Sequence, residues 1–177
     1  MRYSSKEAET NAAMQVAERM VAAARTAPKA CAIDTIEALI LDGADKDELS
    51  EAMRALGTRT GHRYYARDAG NVDDCHCIVL IGASVEPRSL NCGLCGVAHC
   101  AAAITSRIPC ALVVTDLGIA VGSAAATAMD HRIDNRILFT AGMAALHLKT
   151  FPETVKICYG IGLATSGKNI FFDRPAG

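Results

Sequence analysis

Between Asn91 and Cys100 the chain reads Asn-Cys-Gly-Leu-Cys-Gly-Val-Ala-His-Cys, and a fourth cysteine of the group, Cys110, follows Pro109. Glycine supplies turns that a side chain would oppose, and Cys-x2-Cys-x4-Cys gathers sulfurs into one compact loop. Thiolates are soft ligands that select iron-sulfur clusters, zinc or copper(I) over metals preferring oxygen. Structural zinc sites use two knuckles separated by a longer arm, whereas here three cysteines are packed together and only the last stands apart, as in ferredoxin-type runs. The expectation is an iron-sulfur cluster, 4Fe-4S in preference, held by Cys92, Cys95, Cys100 and Cys110 within a loop spanning residues 88–112. Charge agrees, because Arg88 to Thr115 contains no Asp or Glu but does contain Arg88, His99 and Arg107. Backbone amides near Gly93 and Gly96, and at the start of a helix expected after Val97, add dipoles that favour an anion. Zinc is one alternative. Metal-free packing of small apolar cysteines is another.

The remainder of the chain fits a single domain over residues 1–177, since 177 residues with 51% hydrophobic content can bury one full core. Eighteen Lys and Arg against nineteen Asp and Glu leave a net charge of -1 and no basic stripe, which argues against nucleic-acid binding. Met1 to Glu7 is polar and runs into an amphipathic pattern, unlike a secretory signal, so a cytoplasmic location is expected. In a reducing compartment eight cysteines point to metal or thiol chemistry before disulfides. Residues 111–126 are apolar, but the run is short, carries Asp116 and is built from Ala, Gly, Ser and Thr, so it reads as a buried helix and not a membrane span. Gly118, Gly122 and Ala126 lie one turn apart and form a small-residue face for a closely approaching helix. That helix is expected in the core, with a dimer partner as the alternative.

Apolar periodicity places helices over Glu7 to Arg25, ended by Pro28, and from Asp45 or Asp47 through Ala55, stopped by Gly57. Apolar runs at Ile36–Leu41, Cys77–Gly82 and Thr154–Leu163 read as strands, and Asn135 to Leu148 as a helix or helix pair. Helices and strands interleave, which gives an α/β (α+β) class. Cys75 and Cys77 flank His76 with a period of two and make a core pair beside the sheet, with either in reserve as the fourth ligand in place of Cys110. Cys31 and Cys158 are expected to be buried. His99 is a candidate hydrogen-bond donor to cluster sulfur, or a surface histidine. The aromatic and basic run His62 to Arg67 reads as a helix surface.

Cys92-Gly-x-Cys-Gly, Cys100, Pro109-Cys110 and the run Asp116 to Ala124 resemble a family of bacterial and archaeal proteins known by a ferredoxin domain and without an assigned reaction. Arg25 to Ala30, Ile36 to Leu41, Val79 to Gly82 and Lys168 to Arg174 also fit it, so the likeness covers most of the chain. More remotely, Ala24-Arg25-Thr26-Ala27-Pro28 and Tyr159-Gly160-Ile161-Gly162 are similar to nitroreductases, flavin mononucleotide (FMN) enzymes that form intertwined homodimers. That resemblance implies a nitroreductase-like sheet flanked by helices with the cysteine loop inserted, an FMN-dependent oxidoreductase activity, and a homodimer. It also implies Arg25, Lys29, Lys168 and Arg174 as phosphate-binding cations. The chain departs from those enzymes in lacking their N-terminal Arg-rich motif, and Lys29-Ala30-Cys31-Ala32-Ile33 replaces their Ser-x-x-Asn-x-Gln-Pro-Trp loop. Two functions follow. One is a redox protein relaying electrons to a flavin or a partner protein. The other is a non-catalytic binding or regulatory protein in which a zinc or iron-sulfur group staples the loop. No acid-base pair or triad is evident, so redox chemistry would come from cofactors.

Overall fold

Ser4 opens the first helix, α1 (Ser5–Thr26), with a capping box: its hydroxyl accepts the Glu7 amide at 3.2 Å and Glu7 Oε2 accepts the Ser4 amide at 2.7 Å. In the computed structural model, which describes residues 2–172, α1 buries Ala13, Val16, Ala17, Met20 and Ala24. The chain then forms β1 (Ile36–Leu41), α2 (Gly43–Thr60), α3 (Tyr64–Asp73) and β2 (Cys77–Ser84). After the cysteine loop come α4 (Cys100–Thr105), α5 (Ala111–Asp130), β3 (Asp134–Leu138), α6 (Phe139–His147) and β4 (Val155–Ala164).

The four strands pair antiparallel throughout in the order β1-β2-β4-β3. Despite the interleaving of helices and strands the class is therefore α+β. Central β2 is covered on both faces, which is why it reads as an unbroken apolar run. Cys77, Val79 and Ile81 face a core shared with α1 and α5, and Ile78 and Leu80 face one shared with α2, α3 and α6.

Three local expectations differ from the structure. Gly57 does not end α2, which continues to a left-handed Gly61 (φ 75); a Cβ on Gly57 would lie 2.9 Å from Tyr65 Cβ, so this glycine lets α3 fold closely against α2. The stretch read as helical from Asn135 begins instead as edge strand β3 and becomes helix only at Phe139. Finally, Gly118, Gly122 and Ala126 face outward on α5. The helix packs through Val113, Leu117, Ala120, Val121, Ala124 and Ala128, which is the neighbouring stripe, and Ser123 Oγ donates to Ala23 O of α1 at 3.2 Å. Among the described helices only α5 is long and apolar enough to cross a membrane.

Candidate metal centre

The cysteine loop leaves the sheet at the end of β2 and is tied at its base, where the Cys110 amide donates to Val85 O at 3.2 Å. Cys110 is the N-cap of α5, in extended conformation (φ -66, ψ 121). Its sulfur therefore meets the free amides of the helix's first turn. Burial pushes the Cys110 thiol up, but the N–H groups of Val113, Arg88 and Leu112 and the Arg88 guanidinium outweigh it and hold the thiol below its ordinary value.

The rest of the loop turns on left-handed residues: Asn91 (φ 49), Gly93 (φ 74) and Gly96 (φ 83), with Gly96 N–H donating to Gly93 O at 2.9 Å. Asn91 bridges the loop to the start of α4. Its Oδ1 accepts the Cys100 amide at 2.8 Å, and its own amide donates to Cys100 Sγ at 3.4 Å. The result is that Cys92, Cys95, Cys100 and Cys110 all line one small pocket, together with Pro87, Val97 and Ala103 and with no acidic side chain. Exposure grades across it, from exposed Cys92 to buried Cys110. Among the described residues no three His, Cys, Asp or Glu side chains are gathered as one metal ion requires. With Zn–S bonds of about 2.3 Å, the sulfurs of a tetrahedral zinc site would stand about 3.8 Å apart. A cluster spreads its thiolates wider, because each binds its own iron.

Beneath the pocket lies a buried ion pair that the sequence reading did not single out. Arg88 Nη2 donates to Asp116 Oδ2 at 3.1 Å and to Thr35 Oγ1 at 3.2 Å, while Asp116 Oδ1 accepts the Ala30 amide at 2.9 Å. The two side chains are 3% and 5% exposed. Among the described residues Arg88 Nε is buried without a partner, so one strong donor of this pair is left unused.

The other candidates lie elsewhere. Cys75 packs with Ala164 and Phe171, Cys77 belongs to the core under α1 and α5, and neither lines the cysteine pocket. Burial pushes both thiols, and that of Cys158, up to about 12. Cys31, expected to be buried, is exposed in a left-handed turn (φ 59) that follows α1. His99 is exposed and does not line the pocket. His62 stacks on Tyr64 at 5.0 Å, at the surface of α3. Of the phosphate candidates, Arg25 pairs with Asp34 at 2.6 Å, and Lys29 donates to the last carbonyls of α1, Ala24 O at 2.8 Å and Arg25 O. Lys168 is exposed, and Arg174 lies outside the described residues. Phe171 is buried against the end of β4, and its carbonyl accepts from Arg136 Nη1 at 2.9 Å.

The fold is that of the nitroreductase-like flavoproteins. A nitroreductase with bound FMN from Desulfitobacterium hafniense superposes with a TM-score of 0.61 over 87% of this chain and 78% of its own, at 14% identity. Nitroreductase A from Vibrio parahaemolyticus gives 0.58 over 88% and 59% at 12% identity, and an FMN-dependent nitroreductase from Clostridium difficile gives 0.57 over 87% and 76%, also at 12%. At such identities the likeness is one of fold alone. Residues 107–174 match a family described as uncharacterized protein containing a ferredoxin domain (DUF2148), a span that takes in Cys110 but not Cys92, Cys95 or Cys100. An uncharacterized protein of Archaeoglobus fulgidus is 34% identical over 164 residues, 88% of each chain. The chain belongs to this ferredoxin-domain family.

Proposed function

We propose that the chain is a cytoplasmic iron-sulfur redox protein that relays electrons to a partner protein or a flavin, with Cys92, Cys95, Cys100 and Cys110 as cluster ligands. One observation carries the reading: four cysteines within a span of 19 residues surround a single acid-free pocket. When bound, a 4Fe-4S cluster would supply one-electron chemistry. The chain's own residues suit such a group. The first turn of α5 presents amides to the Cys110 thiolate, the spare Arg88 Nε offers a further donor, and Asn91 fixes the start of α4 so that Cys100 faces the same pocket. Cys92 and Leu94, both exposed, leave one side of the loop open to a redox partner.

Flavin binding has less support within the chain, because Arg25 and Lys29 already have partners. A phosphate there needs rearrangement at the end of α1 or cations from a second copy. A homodimer fits the outward face of α5, where Gly118, Gly122 and Ala126 are flanked by exposed Val114, Ile119 and Met129.

The test is anaerobic purification with iron, zinc, acid-labile sulfide and visible absorption measured together. Near-equal iron and sulfide with a broad band bleached by dithionite supports the redox reading, and each of the four Cys→Ser changes then lowers the iron content. Zinc without sulfide replaces it with the structural staple, and resolved flavin bands add FMN. Protein with neither metal nor sulfide after anaerobic reconstitution overturns it.

A further inference from the structure

A second groove shares a wall with the cysteine pocket. Pro87 and Ala103 line both, and the new groove is built from three separate segments: the exit of β2, the outer side of α4, and the start of β4. Its volume is about 430 Å3, within the range that takes a small organic ligand. Val85, Ile104, Ile108 and Ile157 make the lining apolar, and Ile104 is 64% exposed. Pro109 stiffens one side.

The charges around this apolar floor are unspent. Arg107 and Lys156 line the groove, and neither makes an ion pair or a side-chain hydrogen bond among the described residues. Glu86 is the one acid in the lining and is likewise unpaired. Two cations against one carboxylate leave a net charge of +1, which matches a single negative charge on the occupant. An apolar body is required to cover the isoleucines; a cationic ligand would be repelled by Arg107 and Lys156, and a strongly polyanionic one would be repelled by Glu86 and leave the floor wet.

We infer that this groove is a ligand site for a small apolar monoanion, seated on Ile104 and Ile157 with its charge between Arg107 and Lys156. The site is distinct from the cysteine pocket and does not require a metal there. Pro87 and Ala103 border both the site and that pocket.

The probe is 1-anilinonaphthalene-8-sulfonate, an aromatic monoanion whose fluorescence rises on leaving water, with N-phenyl-1-naphthylamine as its neutral counterpart. Both are titrated into the full chain before and after metal removal. One saturable sulfonate site per chain is expected. Ile104→Asp, an exposed change that should leave folding intact by circular dichroism, should weaken it by about tenfold or more. The double variant Arg107→Asn, Lys156→Gln should weaken the sulfonate by about tenfold and the neutral amine by less than about twofold; Asn suits the left-handed backbone of Arg107 (φ 55). Absence of saturable binding overturns the inference. So does sulfonate binding indifferent to Ile104→Asp, or equal weakening of both probes by the double variant. Iron and sulfide are measured in the same samples, so absence of a cluster with the site intact counts against the redox function alone.

Discussion

Replacing Arg88 by Met is the sharpest test of how the cysteine loop is held. Among the described residues the guanidinium is the only cation paired with Asp116, and both side chains are at least 95% buried. In Arg88→Met the carboxylate keeps one hydrogen bond, from the Ala30 amide at 2.9 Å, and loses the charge-assisted bond from Nη2 at 3.1 Å. Stranding a buried charge in this way costs about 3–5 kcal/mol. The retained Ala30 bond places this case near the lower end, about 3 kcal/mol. A domain of this kind has a total stability of about 5–15 kcal/mol, so a fifth to more than half would be lost. With a urea slope of about 2 kcal/mol per molar, the unfolding midpoint should fall by about 1.5 M.

Asp116→Leu should cost a similar amount, because it strands Arg88 instead. The double variant should recover most of the loss. An apolar pair of similar volume is neutral or stabilising relative to a buried ion pair, and the Ala30 amide, only half-buried, can turn to water. Urea unfolding followed by circular dichroism on all four proteins gives the coupling directly. Single variants that each cost under about 1 kcal/mol, or a double variant as weak as the sum of the singles, would refute the buried-pair reasoning.

Other outcomes follow from close contacts and titrating groups. Gly142→Ala should cost more than about 3 kcal/mol or prevent folding, since its Cβ would fall 1.8 Å from Cys158 O; Gly70→Ala, with open space at the same position in α3, should raise stability by about 0.5–1 kcal/mol in thermal unfolding. Buried Cys75, Cys77 and Cys158, pushed up to about 12 from 9.0, stay protonated in the fold while the unfolded chain ionises. Stability is thus unaffected below about pH 9 and falls as pH rises toward 12, by up to about 1.4 kcal/mol per unit for each thiol, and Cys158→Ala should make the alkaline fall of the urea midpoint shallower. Burial raises Asp34, but Arg25 and the Ile36 amide outweigh it and hold the carboxyl below its usual value. Its contribution is present above about pH 4 and lost as pH falls through the depressed value, so Asp34→Asn should flatten the acid limb and cost under about 1 kcal/mol at pH 7. Sedimentation of the wild type as a dimer and of Gly122→Glu as a monomer with unchanged circular dichroism is expected if a second copy covers α5. A wild-type monomer refutes that interface.

Elements whose burial sets their pattern were legible. Three apolar runs were read as strands and form β1, β2 and β4, and α1 stops just before Pro28, as its sequence implies. What failed depended on contacts outside the window being read. Edge strand β3 begins Asp-Asn-Arg, poor strand formers that pairing with β4 overrides, and it runs into α6 with no turn residue between. Gly57 carried a stop signal, but its smallness serves Tyr65. Helices α4, α5 and α6 close on left-handed Arg107, Arg132 and Lys149, where glycine is the usual marker.

The cysteine spacing announces a loop, and residues 88–115 hold no acid. The acid that matters is the next residue. On α5 the inward stripe runs Val113, Asp116, Leu117, Ala120, Ala124, which puts Asp116 on a core position of a helix whose other inward residues are apolar. A carboxylate there needs a buried cation or a set of amides. Arg88 and Ala30 supply one each, from segments 28 and 86 residues away. The periodicity was therefore sufficient to show that Asp116 had a partner, though not which one. Because Arg88 also gives its amide and its field to Cys110, the ion pair that ties α5 to the start of the cysteine loop also bears on where the fourth sulfur stands.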